Sequence, residues 1–150
     1  MELKEKIIIN APMSRVYEAL NDPEILRQCI PGCEELIQHS DTKLEAKILL
    51  KVGPVKARFS GDVQLDKSGA PDAFSLAGQG NGGSAGHAKG EADVTLVSDG
   101  DTTILTYEAK AQIGGKLAQL GSRLIQSTSK KLAAKFFKNF AVVLDVEKVG

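Results

Sequence analysis

Between Lys43 and Val52 apolar and polar residues alternate: Leu44, Ala46, Ile48, Leu50 and Val52 share one face, and Glu45, Lys47 and Lys51 the other. A period of two puts these sets on opposite sides of a pleated backbone and predicts a half-buried β-strand. Gly53-Pro54 supplies a turn, after which Val55, Ala57, Phe59, Gly61, Val63 and Leu65 repeat the pattern, so the two runs predict a hairpin. After a loop at Asp66–Pro71, the residues Phe74, Leu76, Gly78 and Gly80 share a face, followed by a turn at Gly82-Gly83. Two more runs follow, with Ala88, Gly90, Ala92, Val94 and Leu96 inward on the first. Thr103, Leu105, Tyr107, Ala109, Ala111 and Ile113 point inward on the second, across a turn at Ser98–Asp101.

The flanks read differently. Leu3 to Asn10 predicts a first strand, and Asn10-Ala11-Pro12 offers a capping side chain and a proline for a short helix with Val16, Ala19 and Leu20 on its buried stripe. Asn21-Asp22-Pro23 restarts a second short helix through about Gln28, which Pro31-Gly32 ends. His39 falls in a polar hairpin turn. From about Leu117 to Leu144 the spacing becomes helical through Leu120, Leu124, Thr128, Leu132, Phe136 and Phe140. This order fits no βαβ winding and predicts an α+β, helix-grip architecture. In it, a curved antiparallel sheet of about seven strands wraps one long C-terminal helix, and two short helices follow the first strand.

At 150 residues the chain fits a single domain, spanning residues 1–150, with a sizeable core. MELKEKIIIN lacks the long apolar centre of a signal peptide, and no stretch approaches the ~20 apolar residues of a membrane-spanning helix. A cytoplasmic protein is expected. Cys29 and Cys33 have no histidine partners at metal-ligand spacing, so they read as reduced, partly buried thiols, and neither metal nor cofactor is predicted. Gly78 to Gly83 satisfies GxGxxG, but strand alternation resumes after it where a dinucleotide site needs a helix.

The small inward residues carry more information. Gly61, Gly78, Gly80, Ala88, Gly90, Ala92, Ala109 and Ala111 leave space on the face that meets the long helix. Either a pocket forms there or the helix approaches the sheet more closely. For the pocket, the expected lining is Phe59, Phe74, Leu76, Leu105 and Tyr107 from the sheet, opposite Leu120, Leu124, Ile125 and Thr128 from the helix. Tyr107 is the one inward polar ring, able to donate to a ligand carbonyl or to a backbone partner. Catalytic groups are scarce: His39 and His87 are the only histidines, both read as surface residues, and the carboxylates are scattered singly on outward faces.

Net charge is zero, yet between Ala109 and Leu144 there are seven basic residues and no acidic one. Lys130, Lys131, Lys135 and Lys138 therefore give the helix a basic outer face, which reads as a solvated surface, a peripheral contact with anionic lipid at the inner face of the membrane, or a dock for an acidic partner. Nucleic acid is not an expected partner, because exposed aromatics are missing from the basic stretch.

Several segments resemble the CoxG family, accessory proteins associated with carbon monoxide dehydrogenase. They are Ala19–Glu24, Cys29–Glu34, Val52–Lys56, Gly86–Gly90 and above all Ile113–Ile125, in the family's order over nearly the whole chain. The element order is likewise similar to the START/Bet v 1 (SRPBCC) superfamily. The resemblance implies an accessory, non-enzymatic binding protein for an apolar small molecule, a quinone or a lipid, serving a molybdenum hydroxylase complex by recruitment or delivery. It supplies no catalytic residues. Many family members continue into a Pro-rich linker and an apolar anchor; this sequence stops at Gly150, so any membrane contact is expected to be peripheral or through a partner. A START-type cyclase or hydrolase with Tyr107 as its acid, and a ligand-free assembly factor, are the alternatives.

Overall fold

A computed structural model of the chain describes the backbone of residues 1–149 and the side chains of residues 1–145. The elements follow in the order β1 (Glu2–Ile9), α1 (Met13–Leu20), α2 (Pro23–Cys29), β2 (Cys33–Ser40), β3 (Lys43–Val52), β4 (Val55–Asp66), β5 (Ala73–Asn81), β6 (His87–Asp99), β7 (Thr102–Gly114) and α3 (Ser122–Val149). Short 3₁₀ turns at Gly83–Ala85 and Gly115–Leu120 precede β6 and α3. All seven strands lie in one antiparallel sheet of order β1-β7-β6-β5-β4-β3-β2, with β1 and β2 as open edges.

The long hairpins form as the alternation requires: Lys51 pairs with Lys56 beside the Gly53-Pro54 turn, and Asp99 with Thr102 beside Gly100. Helix α2 starts as the sequence indicates, with the Asp22 carboxylate accepting from the Glu24 backbone N–H at 2.9 Å and Pro23 in the first turn. Helix α1 does not: Pro12 occupies its N-cap position, without a side-chain cap, so Asn10 is not the capping residue. His39 is also displaced from its expected turn. It lies within β2, its Nε2 3.0 Å from the Glu45 carboxylate on β3, and β2 was hard to read because only Cys33 and Leu36 on it are even half-buried.

The third difference is the start of the last helix. Leu117 and Leu120 belong to a 3₁₀ turn, and Gly121 at φ +96° interrupts the backbone before α3 begins at Ser122. Twenty-eight residues at 1.5 Å each then carry α3 about 42 Å across the sheet. Gln126 Nε2 donates to the Glu2 carbonyl on edge strand β1, and Asn139 Nδ2 to the Cys29 carbonyl at the end of α2. These bonds pin α3 to both the sheet and the short helices.

Candidate functional site

The inner face of the sheet is graded in side-chain size along the strands. At one end, Leu96 pairs with Leu105, and Phe74, Val94, Tyr107 and Glu5 form a cross-strand row. Moving along the strands, the next rows are Leu76–Ala92–Ala109, Gly78–Gly90–Ala111 and Gly80–Ala88–Ile113. Large residues therefore give way to small ones within about two rows.

Helix α3 matches only the first end. Its C-terminal half sets Phe136, Phe137, Phe140 and Leu144 against the large residues, and with Val16, Ala19, Ile25 and Cys29 from the short helices they form the principal core. Phe140, Leu105 and Val16 are completely buried there. The N-terminal half presents Ile125, Thr128, Ser129 and Leu132 to the small-residue rows and leaves a cavity of about 350 Å³ between them. Its walls are Ala46, Ile48, Leu50 and Val52 of β3, with Phe59 and Val63 of β4. A second cluster of Val52, Phe59, Ala85, Leu117 and Ile125 packs around one end of it.

The glycines show why this space stays open. A Cβ built on Gly80 would meet only the Ser60 carbonyl, 3.8 Å away, so α3 has no atom within 4 Å of it. The helix is not seated on the sheet at that point. At Gly78 and Gly90 a Cβ would come within 2.9 Å of the Asp62 carbonyl and 3.0 Å of the Lys110 carbonyl, so crowding between strands accounts for those two.

The expected lining residues separate into three groups. Phe59, Ile125 and Thr128 border the cavity. Phe74, Leu76, Leu105 and Tyr107 belong to the principal core, because the phenylalanines of α3 fill the space above them. Leu120 and Leu124 pack around the second cluster and do not border the cavity. The residues that the large-side-chain reading passed over are the floor itself, Gly78, Gly80, Ala88, Gly90 and Ala111, together with Ser129 and Leu132; the glycine and alanine alternation was the signal for the floor.

Tyr107 does not face the cavity either. Its ring stacks on Phe137 at 5.6 Å, and its hydroxyl donates to the Glu5 carboxylate at 3.0 Å. Burial, and secondarily Glu5, hold this phenol well above its ordinary pKa. It stays protonated and paired, and it is not presented as an acid to a molecule in the cavity.

Thr128 and Ser129 are the polar side chains that α3 contributes to the cavity. Asp62 and Gln79 touch its border, but both are exposed residues of the outward register on β4 and β5. A larger hollow of about 620 Å³ lies on that outer face, bordered by charges of both signs including Lys43, Glu91 and Lys110. It meets the inner cavity back to back at Gly78 and Gly90, but an apolar molecule there would lie among exposed ions. The inner cavity is the hollow whose lining is mostly apolar.

Lys130, Lys131, Lys135 and Lys138 are all exposed on α3, but they form no single outer face: Lys135, at i+7 from Thr128 and i+3 from Leu132, flanks the cavity side. Cys29 is buried and Cys33 half-buried, both as free thiols, and burial raises both thiol pKa values. Among the described residues no three His, Cys, Asp or Glu side chains converge, and no helix is long and apolar enough to cross a membrane.

The family model for CoxG of carbon monoxide dehydrogenase matches residues 6–145. The chain belongs to this family. Two of the segments that carry the CoxG resemblance, Gly86–Gly90 and Ile113–Ile125, meet in space: Gly86 and Gly115, at φ +123° and +73°, approach so closely that a Cβ on Gly115 would lie 2.8 Å from the Gly86 Cα. Both 3₁₀ turns are held together there, at the end of the cavity lined by Leu117. No curated relative matches the chain. Among solved structures, a conserved protein from Geobacillus kaustophilus is 27% identical, with 97% of this chain and 95% of that one covered and a TM-score of 0.91. A START superfamily protein from Mycobacterium smegmatis is 14% identical, with 99% of each chain covered and a TM-score of 0.70. The Zhui aromatase/cyclase from Streptomyces sp. R1128 is 13% identical, with 97% of this chain and 93% of that one covered and a TM-score of 0.67. The fold is therefore that of the START superfamily, shared by a CoxG chain and a cyclase.

Proposed function

We propose that this chain is an accessory carrier that holds a neutral apolar molecule in the solvent-open cavity between the small-residue rows of the sheet and the first half of α3. The observation that supports it most is the cavity of about 350 Å³, which lies at the lower end of the ~300–1,000 Å³ that small-molecule sites span. The space opens to solvent and lies beside a fully packed core, so the sheet and helix separate at one end only. Its chemistry selects the cargo. Apolar walls exclude an ionic group, which would lose its hydration without a counter-charge, while Thr128 and Ser129 can each donate one hydrogen bond. A quinone ring or the uncharged part of a lipid fits that description.

CoxG membership favours a redox client, a molybdenum-containing carbon monoxide dehydrogenase or a related hydroxylase, to which the carrier would deliver or from which it would collect its cargo. The cyclase reading has less support, since its proposed acid, Tyr107, is engaged with Glu5 in the packed core. Calorimetric titration with a short-chain naphthoquinone tests the proposal. Saturable binding that weakens in Thr128→Val with Ser129→Ala is expected, and absence of binding to the wild-type protein, with no apolar molecule retained in native mass spectrometry, would end the carrier reading.

A further inference from the structure

We propose that the cavity takes a single-chain amphiphile with a carboxylate head, whose chain lies between sheet and helix while Lys131 and Lys135 hold the head in solvent at the cavity's flank. How α3 is turned decides which side these lysines face. Gln126 Nε2 donates to the Glu2 carbonyl at 2.6 Å, so one side of the helix is closed against β1. The other side is fixed at two points. A Cβ on Gly53 would lie 2.9 Å from Leu124 Cδ2, which sets Leu124 against the turn between β3 and β4, and Asn139 Nδ2 donates to the Cys29 carbonyl of α2 at 3.0 Å.

Leu124, Thr128, Lys131, Lys135 and Asn139 follow i, i+4, i+7, i+11, i+15 spacing and form one stripe along α3. Its two ends rest on the β3 and α2 side, so Lys131 and Lys135 between them face that side too. Thr128 of the same stripe lines the cavity, and Leu132, another lining residue, is next to Lys131 and one turn from Lys135. Both lysines are exposed, so their stems can follow the apolar wall while the ammonium groups stay in water.

The opposite border carries no charge. Residues of β2 and β3 in the inward register are Leu36, Gln38, Ala46, Ile48 and Leu50, of which Ala46, Ile48 and Leu50 line the cavity. The carboxylates of these strands are taken elsewhere: Glu34 by Arg58 at 2.8 Å, Glu35 by Lys47 at 3.4 Å and Glu45 by His39 at 3.0 Å. On α2, Glu24 is paired with Arg27. Among the described residues neither Lys131 nor Lys135 makes an ion pair. Two like charges at i, i+4 destabilise a helix, and an anion between them removes that cost. A solvent-open apolar cavity with two unneutralised cations on its flank therefore suits a molecule that is apolar along its length and anionic at one end. The inference rests on the carrier reading and names the class of cargo.

Calorimetric titration with decanoate, kept below its micelle concentration, and with decanol tests it. Decanoate is expected to bind wild-type protein, to compete with the short-chain naphthoquinone, and to bind more weakly as salt is raised. An exposed ion pair contributes up to about fivefold in affinity, so Lys131→Gln with Lys135→Gln is expected to weaken decanoate roughly 3- to 25-fold and to leave decanol within twofold. Arg123→Gln with Lys130→Gln removes the same charge from the side of α3 turned away from the stripe and is expected to change neither ligand more than twofold. Equal losses of decanoate in the two double variants, equal losses of decanoate and decanol in the first, or decanoate binding that leaves naphthoquinone undisplaced would each overturn the proposal. If naphthoquinone binds and decanoate does not, the carboxylate cargo falls and the carrier reading stands; if none of the three ligands binds, both fall.

Discussion

Replacing Gly80 by valine places a side chain directly into the cavity, and the structure fixes what that side chain would meet. The Cβ finds only the Ser60 carbonyl at 3.8 Å, an ordinary contact, and the two methyl groups extend into unfilled space. Glycine inside a strand costs about 0.5–1 kcal/mol against alanine, mostly through the freedom of the unfolded chain, and valine is a good strand residue. Gly80→Val is therefore expected to stabilise the ligand-free protein by about 0.5–1 kcal/mol. At roughly 2–4 °C per kcal/mol for a chain of this size, its melting temperature in differential scanning calorimetry rises by about 1–4 °C. Gly90→Val is the matched control. There the Cβ would sit 3.0 Å from the Lys110 carbonyl and 3.3 Å from Ala111 Cβ, so strands β6 and β7 must give way. Overpacking of that kind costs about 1–3 kcal/mol and lowers the melting temperature by roughly 2–12 °C. In the complex the Gly80→Val methyls compete with cargo, and the same overpacking range corresponds to roughly 5- to 150-fold weaker naphthoquinone binding. A Gly80→Val protein that melts as low as Gly90→Val would mean that helix and sheet are in contact at Gly80, and the open cavity would have to be given up.

Other perturbations address the packed half and its titrating groups. Phe140→Ala removes a fully buried ring from the principal core and is expected to cost about 3–5 kcal/mol in urea denaturation while sparing the cavity; a loss under about 1 kcal/mol contradicts the assigned packing. Because the folded-state pKa of Tyr107 is raised, its contribution to stability is complete below the unfolded phenol's pKa of about 10 and is lost as pH climbs from there toward the folded value. In a Tyr17→Phe background, phenolate absorbance is expected to appear well above the ordinary phenol range, and ionisation at about pH 10 in the native protein would remove the Glu5 pairing. Iodoacetamide is expected to modify half-buried Cys33 before fully buried Cys29, slowly in both cases because burial raises both thiols; equal and rapid labelling would contradict the placement of Cys29 under α3.

The element order was legible because period-two alternation persists through five long strands and then changes to helical spacing. The glycine and alanine positions on the inner face were also legible as space. What the alternation lacked was depth along the strand: it names the face, not the row. Phe74, Leu76, Leu105 and Tyr107 face inward as expected, but cross-strand register puts them one to three rows from the cavity, in the core packed by Phe136 and Phe137. Glu5 is the clearest omission. It alternates with Leu3 and Ile7 and so shares their inward face, yet a carboxylate in an edge strand reads as solvated until its partner, Tyr107, is known to lie opposite. Polar β2 and the break at Gly121 were obscure for a different reason, since neither has a hydrophobic period of its own to announce it.

If the chain is a carrier of this design, cargo enters the small-residue end of the molecule and leaves the aromatic end untouched. Methyl-resolved NMR on the full chain, during titration with a short-chain naphthoquinone, distinguishes the two ends in one experiment. The expected result is perturbation of Ala88, Ala111, Ile113, Ile125 and Leu132, with Leu96, Leu105 and Leu144 unchanged. Shifts centred on Leu105 and Leu144, or on residues of the outer face such as Ala77, would contradict it.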